Sequence, residues 1–212
     1  MNAPTDTPST PPGLGRRLRD KLPEIIIEAV SLGLAVLLAL AIDGWRDREA
    51  EAALGRNVLA AVSAEIANNQ REVDATVASA KALLARIEPL SESAEPPPSG
   101  TVIDLNVPLA LTSAAAWQAA LSGNALHTIG FERSTSISQI YELQRWFADA
   151  QRRTLDAIFA FGESADWSRE RVALVRVVRE LKLSVEFGTS LQAAYAEHLD
   201  ANPAAPAPET TP

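Results

Sequence analysis

The residue with the clearest chemical interest is a carboxylate, Glu28, inside a long apolar run. Residues 25–42 read IIIEAVSLGLAVLLALAI, and Glu28 and Ser31 are the polar side chains in them. An ionisable group in an apolar helix is costly, so it marks a partner contact, a polar cavity or a proton path. Glu28 lies about one turn into the run, where it can also extend to a membrane interface. Interface placement is the first interpretation of Glu28, and an intramembrane contact of Glu28, Ser31 and Gly33 is the alternative, because small residues let another helix approach closely.

The other reactive residue types form no recognisable catalytic or metal-binding pattern. The chain has no cysteine, and its two histidines, His127 and His198, occupy no ligand-spaced motif. Neither histidine has the neighbours expected of a general base. Gly123 and Gly130 are isolated, so no phosphate-binding loop is indicated. We therefore predict no catalytic residue, no metal and no cofactor, and a protein that is not an enzyme.

Three aromatic residues, Trp117, Tyr141 and Trp146, allow two interpretations. Aromatic side chains bury large areas, so they can be core anchors of a helical domain. They can also line a ligand pocket between helices, where bundles commonly bind small molecules.

The apolar run predicts a transmembrane helix. Eighteen residues with their flanks are close to the roughly 20 needed to span a bilayer, and Trp45 suits the far interface. A buried core helix is one alternative. A signal peptide cleaved after Ala41 is another, because Ala39-Leu40-Ala41 has the small-x-small form, although the run exceeds a usual signal sequence.

The flanking charges predict the orientation. Four basic residues precede the run: Arg16, Arg17, Arg19 and Lys21. Only two, Arg46 and Arg48, follow it closely, and they stand among acidic residues. The positive-inside rule places the N-terminus in the cytoplasm and the C-terminal domain in the periplasm, at a bacterial inner membrane. The net charge of -8 argues against nucleic acid. The expected partners are the lipid bilayer and a protein partner or a second copy of the chain.

The chain divides by composition into a tail, an anchor, a domain and a second tail. We predict a disordered cytoplasmic tail at 1–14, a basic flank and anchor at 15–45, and a helical domain at 46–200. A proline-rich linker, SESAEPPPSG, interrupts that domain at 91–100. The Pro/Ala-rich residues 201–212 are predicted to be disordered.

Helical periodicity covers most of the domain. The anchor helix is expected to continue towards Ile87, followed by a short extended segment at 101–107. Further helices are predicted over 109–121 and 134–161, and a last helix, capped at its start by Asp166 or Ser168, is predicted to end at about Leu199. The predicted fold is all-α, with an N-terminal transmembrane helix continuing into a bundle of about four helices.

Several short motifs resemble a family of uncharacterised bacterial single-pass membrane proteins. The stretch from Glu28 to Trp45 resembles that family's anchor, which opens with Glu and closes in an Ala-Leu-x-Ile-Asn-Asn-Trp-like pattern. Here the Asn-Asn pair is Asp43-Gly44, and the family's mid-span glycine falls on an alanine. Further matching positions are Glu65, Ile66, Asn69, Trp117, the stretch 121–126 and Tyr141. The resemblance implies a membrane anchor and a helical domain, and it implies no activity.

Two functions agree with these patterns. The first is a membrane-anchored, non-enzymatic helical domain that acts through protein partners in the bacterial envelope. The alternative is a small-molecule sensor or binding module, with an inter-helical pocket involving Trp117, Tyr141 and Trp146, that signals through a partner membrane protein.

Overall fold

The described part of the protein is all helical. The computed structural model describes residues 14–162 and 166–202, with side chains from residue 27 onwards except that of Ala29. Its helices are α1 (Leu14–Glu92), α2 (Ala115–Ser122), α3 (Leu126–Ile129), α4 (Phe131–Phe159) and α5 (Trp167–Ala201). Residues 1–13 and 203–212, which cover most of the two predicted tails, lie outside this description.

Helix α1 belongs to two compact units, which divide between Glu51 and Ala52. In the first unit, the large apolar side chains of residues 27–42 are all exposed. The predicted span Ile25–Ile42 begins with two residues whose side chains lie outside the description. Within the residues that are described, none of the helices is both long and apolar enough to cross a membrane.

The second unit is a helical bundle built from the end of α1 with α4 and α5. Helix α5 runs antiparallel to α1, because Lys182 pairs with Glu88 whereas Gln192 donates a hydrogen bond of 2.6 Å to Asp74. Helix α4 runs in the same direction as α1, because Glu65 pairs with Tyr141 and Asn69, one turn later, with Gln144, so the connection between the two helices must return along the bundle. Residues 93–114 make that connection with neither helix nor strand.

The bundle core consists of two groups of buried apolar residues. One group lies between Val62 and Val77 of α1 and includes Phe147 of α4 and Tyr195 of α5. The other lies further along α1, from Ala80 to Ile87, and includes Leu174 and Leu181 of α5. The α1 members follow the three- and four-residue spacing of one helical face, which is why this part of the helix packs into a bundle.

A glycine permits a close helix approach in the core. A Cβ atom on Gly188 of α5 would lie 2.4 Å from Val77 Cγ2 and 2.9 Å from Phe147 Cε2. Both distances are too short for real contacts, so only glycine fits where α5 meets α1 and α4.

The structure corrects several predicted element bounds. Residues 101–107 form no strand, and Leu105 instead turns its side chain into the core. The helix predicted from residue 109 begins only at Ala115, because the backbone N–H groups of Ala110 and Ser113 donate hydrogen bonds to side chains of other helices. The short helix α3 was not predicted, so the chain described here has five helices rather than about four.

The last two helices agree more closely with the periodicity. Helix α4 begins at Phe131 rather than Ser134, and Gly162 with its φ of +89° follows it. Helix α5 begins at Trp167, where Asp166 accepts a hydrogen bond of 3.0 Å from the backbone N–H of Ser168. This side-chain cap matches the predicted role of Asp166.

Candidate functional site

Glu65, on α1, is the carboxylate of a polar network inside the bundle. Its Oε1 accepts a hydrogen bond of 2.6 Å from the hydroxyl of Tyr141. Its Oε2 accepts hydrogen bonds of 2.7 Å from Ser113 Oγ and 3.0 Å from the backbone N–H of Ala116. The carboxylate therefore connects α1, α4 and the start of α2.

Glu65 helps to cap the N-terminus of α2 from a neighbouring helix, together with Ser113 Oγ, which accepts from the backbone N–H of Ala115 at 3.2 Å. The N-cap residue of α2 is Ala114, which has no side-chain oxygen. The first backbone N–H groups of a helix need acceptors, and a negative charge near them is favourable. Glu65 meets both needs from a neighbouring helix, so it fixes the position of α2.

Asn69 fixes the connection one turn further along α1. Its Nδ2 donates to the Ser113 carbonyl at 2.7 Å, and its Oδ1 accepts from the Ser113 backbone N–H at 2.8 Å. Gln144 of α4 donates a second hydrogen bond to the same carbonyl at 3.0 Å. The hydroxyl of Tyr195 on α5 donates to Gln144 Oε1 at 2.7 Å, which extends the network to the third long helix.

The shifts in pKa of its ionisable groups indicate which protonation states this network has near neutral pH. Burial tends to raise the pKa of Glu65, but its hydrogen bonds, led by that from Tyr141, lower it overall. Burial first, and then the bond to Glu65, raise the pKa of Tyr141 far above its usual range. Burial also raises the pKa of Tyr195. The carboxylate is thus ionised and the phenols are protonated, an arrangement suited to holding structure rather than to transferring protons.

Trp117 and Tyr141, two of the predicted pocket residues, lie together. Their rings stack with centroids 5.7 Å apart and planes inclined by 7°. They are only 7% and 6% exposed, so they fill the core beside the Glu65 network. This is the packing of core anchors.

Trp146, the third predicted pocket residue, does not join the stacked pair. Its side chain is 47% exposed, and its ring lies 6.2 Å from that of Phe187 at an inclination of 56°. With Phe187, Asp149 and Arg153 it lines a separate shallow cleft. The aromatic residues named from the sequence therefore occupy two different environments.

The predicted contact residues Glu28, Ser31 and Gly33 are all exposed on α1. A Cβ atom on Gly33 would meet no atom within 4 Å. Within the described residues, nothing of this chain covers that surface.

Sequence reasoning missed one buried polar pair, Ser63 and His198. Ser63 Oγ and His198 Nε2 are 3.1 Å apart, joining α1 to α5. Burial lowers the pKa of His198. Both residues lie on the apolar faces of their helices: Ser63 is next to Val62, and His198 is one turn from Tyr195. This position on an apolar face could have indicated from the sequence that both side chains are buried. In the ranges covered by the structure, no group of His, Asp and Glu side chains is arranged to hold a metal ion.

Comparison with known proteins finds no matching family model, no matching curated protein and no matching solved structure. Glu65 and Asn69 of α1, Trp117 of α2 and Tyr141 of α4, which were singled out by short motifs, converge on one network.

Proposed function

We propose that this chain is a membrane-anchored, non-enzymatic helical domain that acts through protein partners in the bacterial envelope. The supporting observation is the exposure of the apolar residues in the first unit. Nine large side chains between Ile27 and Ile42 are between 52% and 68% exposed. Such a surface is unfavourable in water and needs an apolar environment.

The distribution of these side chains favours lipid over a single protein groove. Consecutive and alternate positions are exposed alike, as at Val36, Leu37, Leu38 and Leu40, so the apolar surface surrounds the helix. A helix that packs on one partner needs only an apolar stripe, whereas a helix in hydrocarbon is apolar on all sides. The basic residues before the run support a cytoplasmic N-terminus and a periplasmic bundle.

The bundle supports a role in binding partners more than a role in catalysis. Its best-organised carboxylate, Glu65, is occupied by hydrogen bonds that fix α2 and the connection before it. A low pKa makes such a group a poor general base near neutral pH. We propose that the role of this hydrogen-bond network is to keep the partner-binding surface of the bundle rigid.

The anchor is tested by alkaline carbonate extraction of membranes that contain the full chain. We expect the protein to stay in the membrane pellet at its full mass. The double variant Leu34→Lys/Leu37→Lys should move it to the supernatant, because each charge in the span costs about 2.5–3.5 kcal/mol. The matched control Val172→Lys/Val175→Lys places two lysines on exposed positions of α5 and should stay in the pellet. Extraction of the unaltered chain, or a product shortened at Ala41, would contradict the anchor.

The orientation is tested by single cysteines, since the natural sequence has none. Ala193→Cys, on an exposed position of α5, should react with a membrane-impermeant maleimide in intact spheroplasts. Ser9→Cys should react only after lysis. The reverse labelling would place the bundle in the cytoplasm and direct the search to cytosolic partners.

We also propose that Glu28, Ser31 and Gly33 contact another membrane helix, from a second copy or a different protein. For a contact between two copies, each Gly33→Cys chain supplies one thiol, and mild oxidation should give a disulfide-linked dimer, while Leu38→Cys in the same helix should not. Equal crosslinking at both positions would indicate random collisions in the membrane and would contradict the proposed contact.

A further inference from the structure

A cavity of about 470 Å³ lies between the first half of α4 and the last turns of α5, at the opposite end of the bundle core from Ile87. Its apolar wall consists of Ile137, Ile140 and Leu143 of α4, together with Leu59 of α1 and Ala194 of α5. Concave sites of roughly 300–1,000 Å³ with apolar walls and a few polar groups are typical for small ligands. The cavity is separate from the Glu65 network and shares no residue with it.

A buried histidine forms part of the wall. His198 is 7% exposed and lines the cavity, and its Nε2 is bonded to Ser63 Oγ. Its other ring nitrogen, Nδ1, forms no hydrogen bond within the described residues and is not sealed off from solvent. A neutral imidazole nitrogen of this kind can accept a hydrogen bond from a ligand group in the cavity.

The charged groups around the opening have a negative balance. They are Glu132 and Arg133 at the start of α4 and Glu197 on α5. None of the three forms an ion pair within the described ranges. With His198 neutral, two carboxylates and one guanidinium leave one negative charge, which a monocation would balance.

We propose that this cavity binds a small organic amine whose apolar body lies against Ile137, Ile140 and Leu143 and whose ammonium group lies between the carboxylates and His198. An ammonium group donates to carboxylates and to a neutral imidazole nitrogen, so it can pair with Glu132, Glu197 and His198. An organic anion would instead meet two carboxylates. The inference concerns residues 59–202 alone and does not depend on the membrane anchor.

The test uses the full chain, reconstituted in lipid nanodiscs or in buffer if it purifies without lipid. The probe is hexylammonium, and hexanoate and hexanol are its matched anionic and neutral counterparts. The readout is the imidazole NMR signal of His198, assigned with His127→Gln because the chain has two histidines. We expect saturable shifts with hexylammonium and at least about tenfold weaker effects with hexanoate. Equal affinities for all three probes, or no saturable shift with hexylammonium, would overturn the proposal.

Variants separate this cavity from unspecific binding. Glu132→Gln and Glu197→Gln should each weaken hexylammonium binding about fivefold, whereas Glu186→Gln on the exposed side of α5 should not. Ser136→Trp places a large side chain at an exposed position of the cavity lining without altering the core, and it should abolish binding. Ser138→Trp, two residues along α4, does not line the cavity and should bind normally. Unchanged binding in Ser136→Trp would exclude this cavity, and circular dichroism establishes that each variant is folded.

Discussion

The hydroxyl of Tyr141 donates a hydrogen bond of 2.6 Å to Oε1 of Glu65, which joins α4 to α1 across 76 positions of the sequence. The same carboxylate accepts hydrogen bonds from the start of α2, so one ionised group orders three elements. Tyr141 also stacks on Trp117 of α2. The two contacts of Tyr141, polar and aromatic, can be separated by mutation.

Tyr141→Phe removes the hydroxyl and keeps the ring. A hydrogen bond to an ionised group contributes about 1.5–3 kcal/mol, so we expect a loss of that size in the free energy of unfolding, measured with urea. Tyr195→Phe is the matched control, because Tyr195 donates to the neutral amide of Gln144 and should cost only about 1 kcal/mol. A loss in Tyr141→Phe no larger than that in Tyr195→Phe would contradict the role assigned to the charge on Glu65.

Glu65→Gln should alter the dependence of stability on pH. The pKa of Glu65 is lower in the folded protein than its usual value of 4.5, so the unfolded chain takes up the proton more readily. The contribution of the carboxylate is therefore complete above that value and is lost as the pH falls through the folded pKa. We expect the stability difference between the natural chain and Glu65→Gln to shrink in acid. A difference that is constant from about pH 7 to about pH 3 would show that Glu65 does not act through its charge.

His198 should make the protein less stable in mild acid. Burial lowers its pKa below the usual 6.5, so the unfolded state binds the proton first as the pH falls. Stability should be unaffected above about pH 6.5, decrease below it, and level off once the folded pKa is passed. His198→Gln should flatten this part of the curve of unfolding free energy against pH. His127→Gln, at an exposed position, should leave the curve as in the natural chain. An unchanged slope in His198→Gln would show that His198 does not cause the loss of stability in mild acid.

Gly188→Ala should destabilise the bundle. The added Cβ would meet Val77 Cγ2 at 2.4 Å, and overpacking of this kind typically costs about 1–3 kcal/mol. Gly44→Ala is the control, because its Cβ would have a nearest neighbour at 3.6 Å, the end of Arg48. There the substitution should be neutral or stabilise the helix by up to about 1 kcal/mol. Thermal unfolding followed by circular dichroism compares the two, and equal midpoints would show that α5 does not approach α1 as closely as described.

The tryptophans should differ in their importance for folding. Trp117→Ala empties a buried position and is expected to cost about 3–5 kcal/mol. Trp146→Ala removes a side chain that is half exposed and should cost no more than about 1.5 kcal/mol. Urea unfolding measures both losses. Similar losses would place Trp146 in the core, against the position described here.

Periodicity predicted the helices because each helix buries a stripe of its own residues. The spacing at α4 and α5 placed both within a few residues of their bounds, and of the two caps predicted for α5, Asp166 or Ser168, the structure selects Asp166. The start of α2 was misplaced because the helical pattern extends back to residue 109. There the backbone of Ala110 bonds to Gln151 and that of Ser113 to Asn69, and these partners lie 41 and 44 residues away.

The sequence by itself determined the all-helical character, the apolar run at 25–42 and the absence of cysteine chemistry. These properties depend on composition and on local spacing, which a chain carries before it folds. The tertiary structure decided which polar residues meet. It brought Glu65 to Tyr141 and Ser63 to His198, and it placed Trp146 apart from Trp117. These contacts depend on the direction in which whole helices pack against one another. The contacting residues are 76 and 135 positions apart, so no local sequence pattern indicates that they are close in space.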